Sequence, residues 1–421
     1  MFSVLINAWK VKELRTKLFV VLALVAVYRL GAAIPLPGIN LTAWQFVRTQ
    51  GTNQTLFAAI VGGEFGTIFQ MGIGPFITAS IIMQLMCVAV PKLEQIQKEG
   101  QEGRKKINRI TRFLAVGLAL VQGAGTVFAI QNDPHGLFIH PTWLTWIAAT
   151  AAMVAGSIFV MWIGELITEK GIGNGSSFII FSNIIAGAPA AFMMGVGIIQ
   201  SMEVWLIVTF VLLIIMFIGL VAFAVLIQEG ERRIPVQYSK KMVGRQMYGG
   251  QSTYMPIKVN IAGVMAIIFS ISLLQLPATV AGFYPAPGVV RMTEILSLTS
   301  PVGAIAYAVL IVCFTFFYTS FAVNPVEMAE NLKKNGGVIP GVRSGKPTSD
   351  FIARTVHRLS VIGAGFYVLL AMTPIIFQII FGMEVGFGGT TLLIMVGVAL
   401  ETVKQLESQL LMRHYKGFLS T

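Results

Sequence analysis

The chain has 421 residues, of which 55% are hydrophobic and only 11% are charged, and its formal net charge is +12. A mean hydropathy of +0.78 is too high for a soluble domain of this length and is typical of a helical protein that crosses a membrane several times. The two cysteines, Cys87 and Cys313, lie in separate apolar runs, which argues against a disulfide framework or thiolate metal site and predicts buried structural thiols.

Ten charge-poor windows are long enough to cross a bilayer core, which is about 30 Å thick. The first window follows the segment MFSVLINAWKVKELRTK, which has no small-residue cleavage site, so we expect this window to be retained as a membrane span. The tenth window is the shortest and ends near Glu401. The windows begin near Lys17, Phe65, Phe113, Thr142, Ser176, Val204, Val259, Pro301, Leu359 and Val385.

The lysines and arginines are distributed unevenly between the two sides of the predicted membrane. Of the 30, 27 fall before the first window, after the last window, or in the loops that follow even-numbered windows. Only Arg48 and Arg291 fall in the opposite loops, and Arg29 lies within the first window. Because positively charged loops stay in the cytosol, this distribution predicts a cytosolic location for both termini.

The stretch IVGGEFGTIFQMGIGPFITAS, Ile60–Ser80, contains five glycines, a proline and a glutamate where the chain is otherwise apolar. Its pattern predicts a short segment from about Leu56 that breaks, followed by a spanning helix that starts around Gly72–Pro75 and runs to about Pro91. The freed backbone groups of a broken helix cannot face lipid, so we expect this segment to line an internal cavity or to be covered by protein. The alternative is close helix packing through small residues.

The interiors of the predicted spans carry almost no titratable side chains, the exceptions being Arg29 and Glu64. We interpret Arg29 as a structural arginine that satisfies nearby carbonyl groups. Ion-coupled transporters generally place titratable groups at mid-membrane, so their scarcity argues against ion coupling here. The chain also lacks the motifs of phosphate-binding loops, zinc proteases and serine hydrolases, and we therefore expect no enzyme activity, no catalytic residue, no metal and no cofactor.

Three loops on the predicted cytosolic side are candidates for binding a ligand or partner. The glycine-rich run GIGNGSS, Gly171–Ser177, could bind an anion through free amides, although we favour a flexible start to the following helix. Two further loops, Glu231–Gly250 and Asn331–Asp350, are richer in basic residues than membrane orientation requires. They are either solvated anchors beside anionic lipid or docking surfaces for a large cytosolic partner, such as a polyanion or an acidic protein face.

Five long motifs are spread over essentially the whole chain. They are YRLGAAIPLPGIN at Tyr28–Asn40, GIGPFITASIIMQL at Gly72–Leu85, GELITEKGIGNGSSFIIF at Gly164–Phe181, QSTYMPIKVNIAGVMAIIF at Gln251–Phe269 and NPVEMAENLKKNGGVIPGVRSG at Asn324–Gly345. In their order and spacing these motifs resemble the bacterial SecY family, whose members form the central subunit of a protein-conducting channel. The number and length of the motifs make the resemblance specific.

The resemblance implies an all-α polytopic membrane fold. Ten transmembrane helices would form two pseudo-symmetric five-helix halves, residues 1–200 and 201–421, around an hourglass pore. A re-entrant plug would occupy about 56–67, and long cytosolic loops would occupy about 228–258 and 324–358. The implied plug residues are Phe57, Gly62, Gly63, Glu64, Phe65 and Gly66.

The resemblance also implies three groups of site residues. An aliphatic ring would close the pore at rest, and basic loop positions would face the ribosome or the SecA motor. A lateral gate would lie between the second and third spans on one side and the seventh and eighth on the other. The ring would be Ile73, Ile77, Ile180, Ile184, Ile268 and Ile394, the gate would include Thr78 and Leu276, and the docking positions would be Arg233, Lys240, Arg245 and Arg343.

The function that the resemblance implies is protein translocation. The chain would pass unfolded secretory polypeptides across the bacterial cytoplasmic (inner) membrane and release hydrophobic segments laterally into the bilayer. Its partners would be small membrane subunits like SecE and SecG, the SecA ATPase, the ribosome and a preprotein or signal-peptide substrate. The alternatives are a secondary transporter with inverted repeats and a membrane scaffold or insertase without a continuous pore.

Overall fold

A computed structural model describes residues 9–40, 42–43, 66–131, 137–140, 142–200, 204–238, 241–243, 246–248, 252–283, 286–298, 300–381 and 389–418. Most of this length is helical. The helices are α1 (Lys12–Ala32), α2 (Gly74–Ala89), α3 (Pro91–Lys98), α4 (Gln101–Gln131), α5 (Trp143–Lys170), α6 (Gly175–Gln200), α7 (Val204–Glu229), α8 (Met265–Leu274), α9 (Leu276–Phe283), α10 (Pro287–Ile295), α11 (Pro301–Ala322), α12 (Pro325–Lys334), α13 (Lys346–Phe381) and α14 (Gly389–Phe418). The strands are β1 (Glu231–Tyr238), β2 (Lys241–Val243), β3 (Gln246–Tyr248), β4 (Ser252–Lys258) and β5 (Gly337–Val338).

Several of these helices are suited to a membrane. Within the described ranges, five are long and apolar enough to cross a bilayer, and the bent pair α2 and α3 would make a sixth span. Each overlaps a window predicted from the sequence, while the full count of ten stays a prediction. The five are Gln101–Phe128, Trp143–Lys170, Val204–Glu229, Pro301–Lys334 and Lys346–Phe381, and shorter apolar helices occur at Gly175–Gly187 and Met265–Ala278.

The start of α2 follows the local signals in the sequence. Gly72 has a φ of 49°, a conformation that glycine adopts without the steric cost of a Cβ atom. Pro75 lies in the first turn of α2, where the missing N–H would have no intrahelical partner in any case. The helix ends before Pro91, where the chain bends by 101° into α3. The predicted helix start around Gly72–Pro75 and its end near Pro91 are therefore confirmed.

The chain forms two compact units. Unit 1 consists of residues 1–203, 272–295 and 397–421. One of its apolar clusters contains Leu36, Met71, Leu137 and Met153. This cluster joins the segment after α1 and the segment before α2 to α5. A second cluster contains Ala79, Ala115 and Met161 and joins α2, α4 and α5. A third brings together Leu14 of α1, Ile172 and Leu406 of α14.

Unit 2 consists of residues 204–271 and 296–396 and contains a small antiparallel sheet in the order β4-β1-β5. In β1 the buried residues Ile234 and Val236 alternate with exposed neighbours, as expected for a strand with one covered face. They pack with Ile352 and Val356 of α13. The all-α prediction omitted this sheet, whose strands β1 and β4 lie in the long loop predicted at about 228–258 and whose strand β5 lies in the one predicted at about 324–358.

The two cysteines differ in burial. Cys87 on α2 is 3% exposed, as the sequence predicted, and both thiols are free. Cys313 on α11 is exposed, so the prediction that it is buried was wrong. An apolar sequence environment indicates a span, but a span has a protein-facing side and an outward-facing side, and composition alone does not distinguish them.

Candidate functional site

In unit 1, four isoleucines belong to the candidate ring. Ile73 immediately precedes α2 and is 1% exposed, whereas Ile77, in the first turn of α2, is half-buried. Ile180 and Ile184 lie on one face of α6 because they are four residues apart, and they are 4% and 6% exposed. Three of these four side chains are therefore buried, and Ile77 is partly accessible.

Gly164 of α5 is the point where the structure brings α2 and α6 onto one helix. A Cβ atom at this glycine would lie 3.3 Å from Ile179 Cδ1 and 3.5 Å from Ile73 Cδ1. The absence of a side chain at Gly164 therefore allows both neighbours to approach the α5 backbone closely. The start of α2 and the first turns of α6 are in this way positioned against a common surface.

The short segment from Gly66 to Ile73 connects to the rest of unit 1 through its backbone. Its residues Gly66 and Ile68 exchange hydrogen bonds with the chain just after α1, from Leu36 N to Gly66 O at 2.9 Å and from Ile68 N to Ile34 O at 3.1 Å. Ser157 Oγ of α5 donates to Gly72 O at 3.1 Å. The residues leading into α2 are thus held on both sides.

Aromatic stacking supports the same segment. The fully buried ring of Tyr28 on α1 is stacked on Phe69, with ring centroids 5.7 Å apart and an interplanar angle of 2°. Phe69 also stacks on Phe159 of α5, at 6.0 Å between centroids. Two glycines make this packing possible: a Cβ at Gly31 would lie 2.3 Å from Phe69 Cε2, and one at Gly156 would lie 2.1 Å from Ile68 O.

Arg29 of α1 contacts Ser182 of α6 with two of its nitrogen atoms. Its Nε donates to Ser182 Oγ at 3.1 Å, and its Nη2 donates to the Ser182 carbonyl oxygen. The guanidinium carbon also lies 5.4 Å from the centroid of the Tyr28 ring. The interpretation of Arg29 as an arginine that satisfies a nearby carbonyl is confirmed, and the carbonyl belongs to the helix that carries Ile180 and Ile184.

The glycine-rich run before α6 has protein acceptors for its amides. Gly173 N donates to Gln405 Oε1 at 2.7 Å, Gly175 N donates to Thr168 Oγ1 at 2.9 Å, and Ser176 N donates to Asn174 Oδ1 at 3.0 Å. A site for an anion would need these donors free. The arrangement favours the role of a helix start over that of an anion site.

In unit 2, two further isoleucines belong to the candidate ring. Ile268 of α8 is 5% exposed and Ile394 of α14 is 2% exposed. The chain just before α8 is held by a hydrogen bond from the hydroxyl of Tyr367, on α13, to Asn260 Oδ1. Gln228 Nε2 of α7 donates to the carbonyl oxygen of Leu393, next to Ile394, across 3.4 Å.

The candidate gate residues lie on helices of unit 1. Thr78 of α2 is half-buried, and Leu276, the first residue of α9, is 50% exposed. Helix α9 packs against α4, which in turn packs against α2. The helix that begins at Leu276 and the helix that carries Thr78 therefore share α4 as a neighbour.

Two of the four candidate docking positions are described by the structure. Arg233 in β1 has a side chain that is 68% exposed and is paired with Glu231 through a contact of 2.7 Å to Oε1. Arg343 is exposed in the loop between β5 and α13. Lys240 and Arg245 lie outside the described residues, as do the candidate plug residues Phe57, Gly62, Gly63, Glu64 and Phe65. Gly66 is described and has a φ of 77°.

The sequence alone did not assign roles to several residues that hold the site together. Tyr28, Phe69, Ser182, Asn260 and Tyr367 belong to this group. Tyr28 and Asn260 do fall inside the motifs YRLGAAIPLPGIN and QSTYMPIKVNIAGVMAIIF, and a polar side chain within an apolar stretch is the signal that could have identified them. Within the described ranges, no group of His, Cys, Asp or Glu residues is placed to hold a metal ion.

Comparison with known proteins gives matches along the whole chain. A sequence model of the SecY family matches residues 67–403. The chain is similar to Protein translocase subunit SecY of Halalkalibacterium halodurans, with 42% identity over 434 residues that cover 100% of both chains. It is also similar to Protein translocase subunit SecY of Thermus thermophilus, with 41% identity over 98% of this chain and 97% of the other.

Solved structures share the fold at lower sequence identity. A structure described as "The structure of a protein conducting channel" has a TM-score of 0.68 and 20% identity, covering 94% of this chain and 92% of the other. A second, "Sec61 in the Canine ribosome-channel complex from the endoplasmic reticulum", has a TM-score of 0.64 and 18% identity with the same coverage. Because the family model matches most of the chain and the relatives match its full length, the chain belongs to the SecY family.

Proposed function

We propose that the chain is the channel subunit of a protein translocase. It passes unfolded secretory polypeptides across the membrane and releases hydrophobic segments laterally into the bilayer. The observation that carries this proposal is the 42% identity, over the full length of both chains, to a protein translocase subunit SecY. The sparsely charged interior of the predicted spans agrees with a channel that a polypeptide crosses without catalysis or ion coupling. No observation favours the transporter alternative.

The proposed architecture has ten transmembrane helices in two pseudo-symmetric halves, residues 1–200 and 201–421, around an hourglass pore. The plug would occupy about 56–67, and Gly66, with its positive φ, would be the hinge where it joins the rest of unit 1. The protein would reside in the bacterial cytoplasmic membrane with both termini in the cytosol. The asymmetric distribution of lysines and arginines supports this orientation.

The proposed seal is a ring of the six isoleucines. An aliphatic constriction stays dry when it is empty because water gains too few hydrogen bonds inside it. Isoleucine is bulky and stiff at χ1, so it holds such a constriction well, and it makes no directional bonds that would select one substrate side chain over another. The low exposure of Ile73, Ile180 and Ile184 agrees with a packed apolar environment at these three positions.

The proposed lateral gate separates secreted chains from membrane segments by partitioning. A substrate segment with a dozen leucines gains roughly 4–7 kcal/mol on entering lipid, on an insertion scale of about −0.3 to −0.6 kcal/mol for each leucine. A polar segment gains nothing laterally and continues through the pore. The packing of α9 against α4 supports a gate that is shut, since these helices belong to the seventh and third predicted spans.

The proposed partners bind on two sides. Small membrane subunits like SecE and SecG would contact the apolar exterior, and SecA or the ribosome would dock on the exposed basic loops at Arg233, Lys240, Arg245 and Arg343. Two of the solved structures of similar fold are described as complexes with a ribosome. The exposure of Arg233 and Arg343 supports this role.

Reconstitution tests the proposal. The chain is purified with its small membrane subunits, placed in vesicles and supplied with a SecA-type motor, ATP and an unfolded preprotein. We expect the preprotein to become protected from added protease only when ATP is present, and to cross-link to photoreactive groups at the six ring positions when it is stalled. Uptake of a small solute driven by an ion gradient, without preprotein passage, would instead establish the transporter alternative.

A further inference from the structure

The C-terminal turn of α1 contacts both of the elements that carry ring residues in unit 1. We propose that Arg29 is a positioning residue for the resting seal: it holds the backbone of α6 at Ser182 and so keeps Ile180 and Ile184 in the closed arrangement. This inference rests on the proposed function, because it assumes that these isoleucines form part of the seal.

Ser182 and the two candidate ring isoleucines lie on different faces of α6. Ser182 lies two residues after Ile180 and two before Ile184, which corresponds to about 200° around an α-helix. Ser182 therefore occupies the face of α6 opposite the two isoleucines. Arg29 holds the helix from behind the candidate ring surface, where it can fix the position of the isoleucines without contacting them.

The contact between Arg29 and Ser182 involves the main chain of α6. Arg29 bonds both the side-chain oxygen and the main-chain carbonyl of Ser182. A contact to the carbonyl fixes the helix backbone itself, which a contact to a side-chain rotamer alone would not do. The planar guanidinium presents several donors in a rigid fork, so that two bonds to one residue define an orientation as well as a distance.

The neighbouring residue on α1, Tyr28, packs on the segment that leads into α2, the other element with candidate ring residues. Tyr28 is stacked on Phe69, which lies four residues before Ile73 in the segment that leads into α2. The guanidinium of Arg29 lies beside the same Tyr28 ring. Two consecutive residues of one helix thus contact the segment before α2 and Ser182 in the first third of α6, and a shift of α1 would be transmitted to both.

The side chain that α1 presents to Ser182 is a charged arginine and not a neutral residue. A permanently charged side chain in an apolar span costs free energy unless its donors are satisfied by protein. A neutral side chain would serve equally well if the only requirement were to fill space between α1 and α6. A charged group bonded to a helix carbonyl makes a stronger and shorter hydrogen bond than a neutral group does, which is the property that a positioning residue needs.

The test is the resting chloride efflux from vesicles that contain the chain with its small membrane subunits and no motor or substrate. Loss of one hydrogen bond to a charged group shifts an equilibrium by roughly ten- to a hundredfold, so we expect Arg29→Gln to raise the closed-state leak by about that factor at most. Arg29→Lys keeps the charge but not the fork and should give an intermediate leak. Arg291→Gln, which removes an exposed arginine from α10, is the matched control and should leave the leak unchanged.

A second set of variants distinguishes positioning from general stability. We expect Arg29→Gln to add little to the leak of Ile180→Ala with Ile184→Ala, because both changes disable the same part of the seal. A multiplied leak in the triple variant would mean that Arg29 acts elsewhere and would overturn the inference. If Arg29→Gln does not assemble, Arg29→Lys decides: an unchanged resting leak in this assembled variant overturns the inference as well.

The outcomes for Arg29 and for the seal itself are separable. The paired variant Ile73→Gly with Ile77→Gly reports on the seal without touching Arg29. If that pair leaks and the Arg29 variants do not, the positioning role is wrong and the channel function stands. If neither leaks, the assignment of the seal to these isoleucines is wrong.

Discussion

In unit 1 the residues around the candidate ring are held by a charged side chain, whereas in unit 2 the supporting groups are neutral. Arg29 bonds the backbone of α6 between Ile180 and Ile184. In unit 2 the Tyr367 hydroxyl bonds Asn260, eight residues before Ile268, and the Gln228 amide contacts the carbonyl beside Ile394. In each unit, polar groups thus form hydrogen bonds to residues near the candidate ring isoleucines.

The difference between the two anchors predicts different tolerance to change. Replacing Arg29 removes charge-assisted hydrogen bonds to Ser182, whereas replacing Tyr367 by phenylalanine removes one neutral hydrogen bond to Asn260, and the charge-assisted bonds are the stronger. The charged anchor is also next to a stacked aromatic pair, so disturbing one contact in unit 1 affects others. We therefore expect unit 1 to be the more sensitive of the two.

The largest expected effect comes from removing the aliphatic surface directly. Ile73→Gly with Ile77→Gly should raise resting ion conductance strongly, because two branched side chains are lost from a dry constriction. The same substitution of Ile268 and Ile394 extends the comparison to unit 2. The measurement is the ion conductance of vesicles without substrate. An unchanged conductance in both paired variants would contradict the assignment of the seal to these positions.

Gly156→Ala should destabilise unit 1 by about 1–3 kcal/mol or more, as overpacking does in well-packed interiors. The new Cβ would lie 2.1 Å from Ile68 O, a main-chain atom that cannot move without shifting the segment before α2. Gly117→Ala on α4 meets nothing within 4 Å and serves as the control. Thermal unfolding of the purified complex measures both. Equal melting temperatures would show that the segment yields easily and that the unit 1 anchor is looser than its contacts indicate.

Tyr367→Phe tests the neutral anchor of unit 2. It removes the hydroxyl that bonds the half-buried side chain of Asn260, for an expected loss of about 0.5–1.5 kcal/mol. Tyr254→Phe is the matched control, since Tyr254 is 62% exposed on β4. The melting temperature should fall for the first variant only. If Tyr367→Phe raised the resting chloride efflux as much as Arg29→Gln does, this result would contradict the expected difference between the units.

The smallest expected effect on either unit comes from the exposed docking surface. Arg343→Glu should leave the melting temperature and the resting leak unchanged while weakening the binding of a SecA-type motor or a ribosome. The weakening should shrink as salt concentration rises, because the contact is exposed and electrostatic. Lys105→Glu, at another exposed basic position, controls for net charge. Equal binding by both variants and the parent chain would favour the lipid-anchor interpretation of the loop.

Local signals in the sequence were sufficient for the start and the end of α2 but not for the contacts between helices. The start of α2 could be predicted because Gly72, Gly74 and Pro75 act on the backbone within a few residues of themselves. The partner of Arg29 could not be predicted, because Ser182 is 153 residues away and many carbonyls in the chain are equally available by composition. The general role of Arg29 followed from its cost in an apolar span, while its specific role required coordinates.

The small sheet of unit 2 shows a second limit. The sequence of β1, ERRIPVQY, lies in a basic loop, and its charge count hid the alternation of Ile234 and Val236 with exposed residues. Its partner β5 lies about a hundred residues further along the chain, with Gln237 opposite Val338. Pairing over such a separation depends on the packing of β1 against α13, which no local pattern in the loop reveals.

Helix α14 packs against α1 and against the glycine-rich run before α6. Leu406 of α14 packs with Leu14 and Ile172, Gln409 accepts from Lys17 Nζ at 3.3 Å, and Gln405 accepts from Gly173 N. Lys17 and Gln409 are 392 residues apart, so α1 cannot make these contacts during synthesis until α14 has been made. Substitutions at Gln405 or Gln409 would therefore report on a late step in the assembly of unit 1.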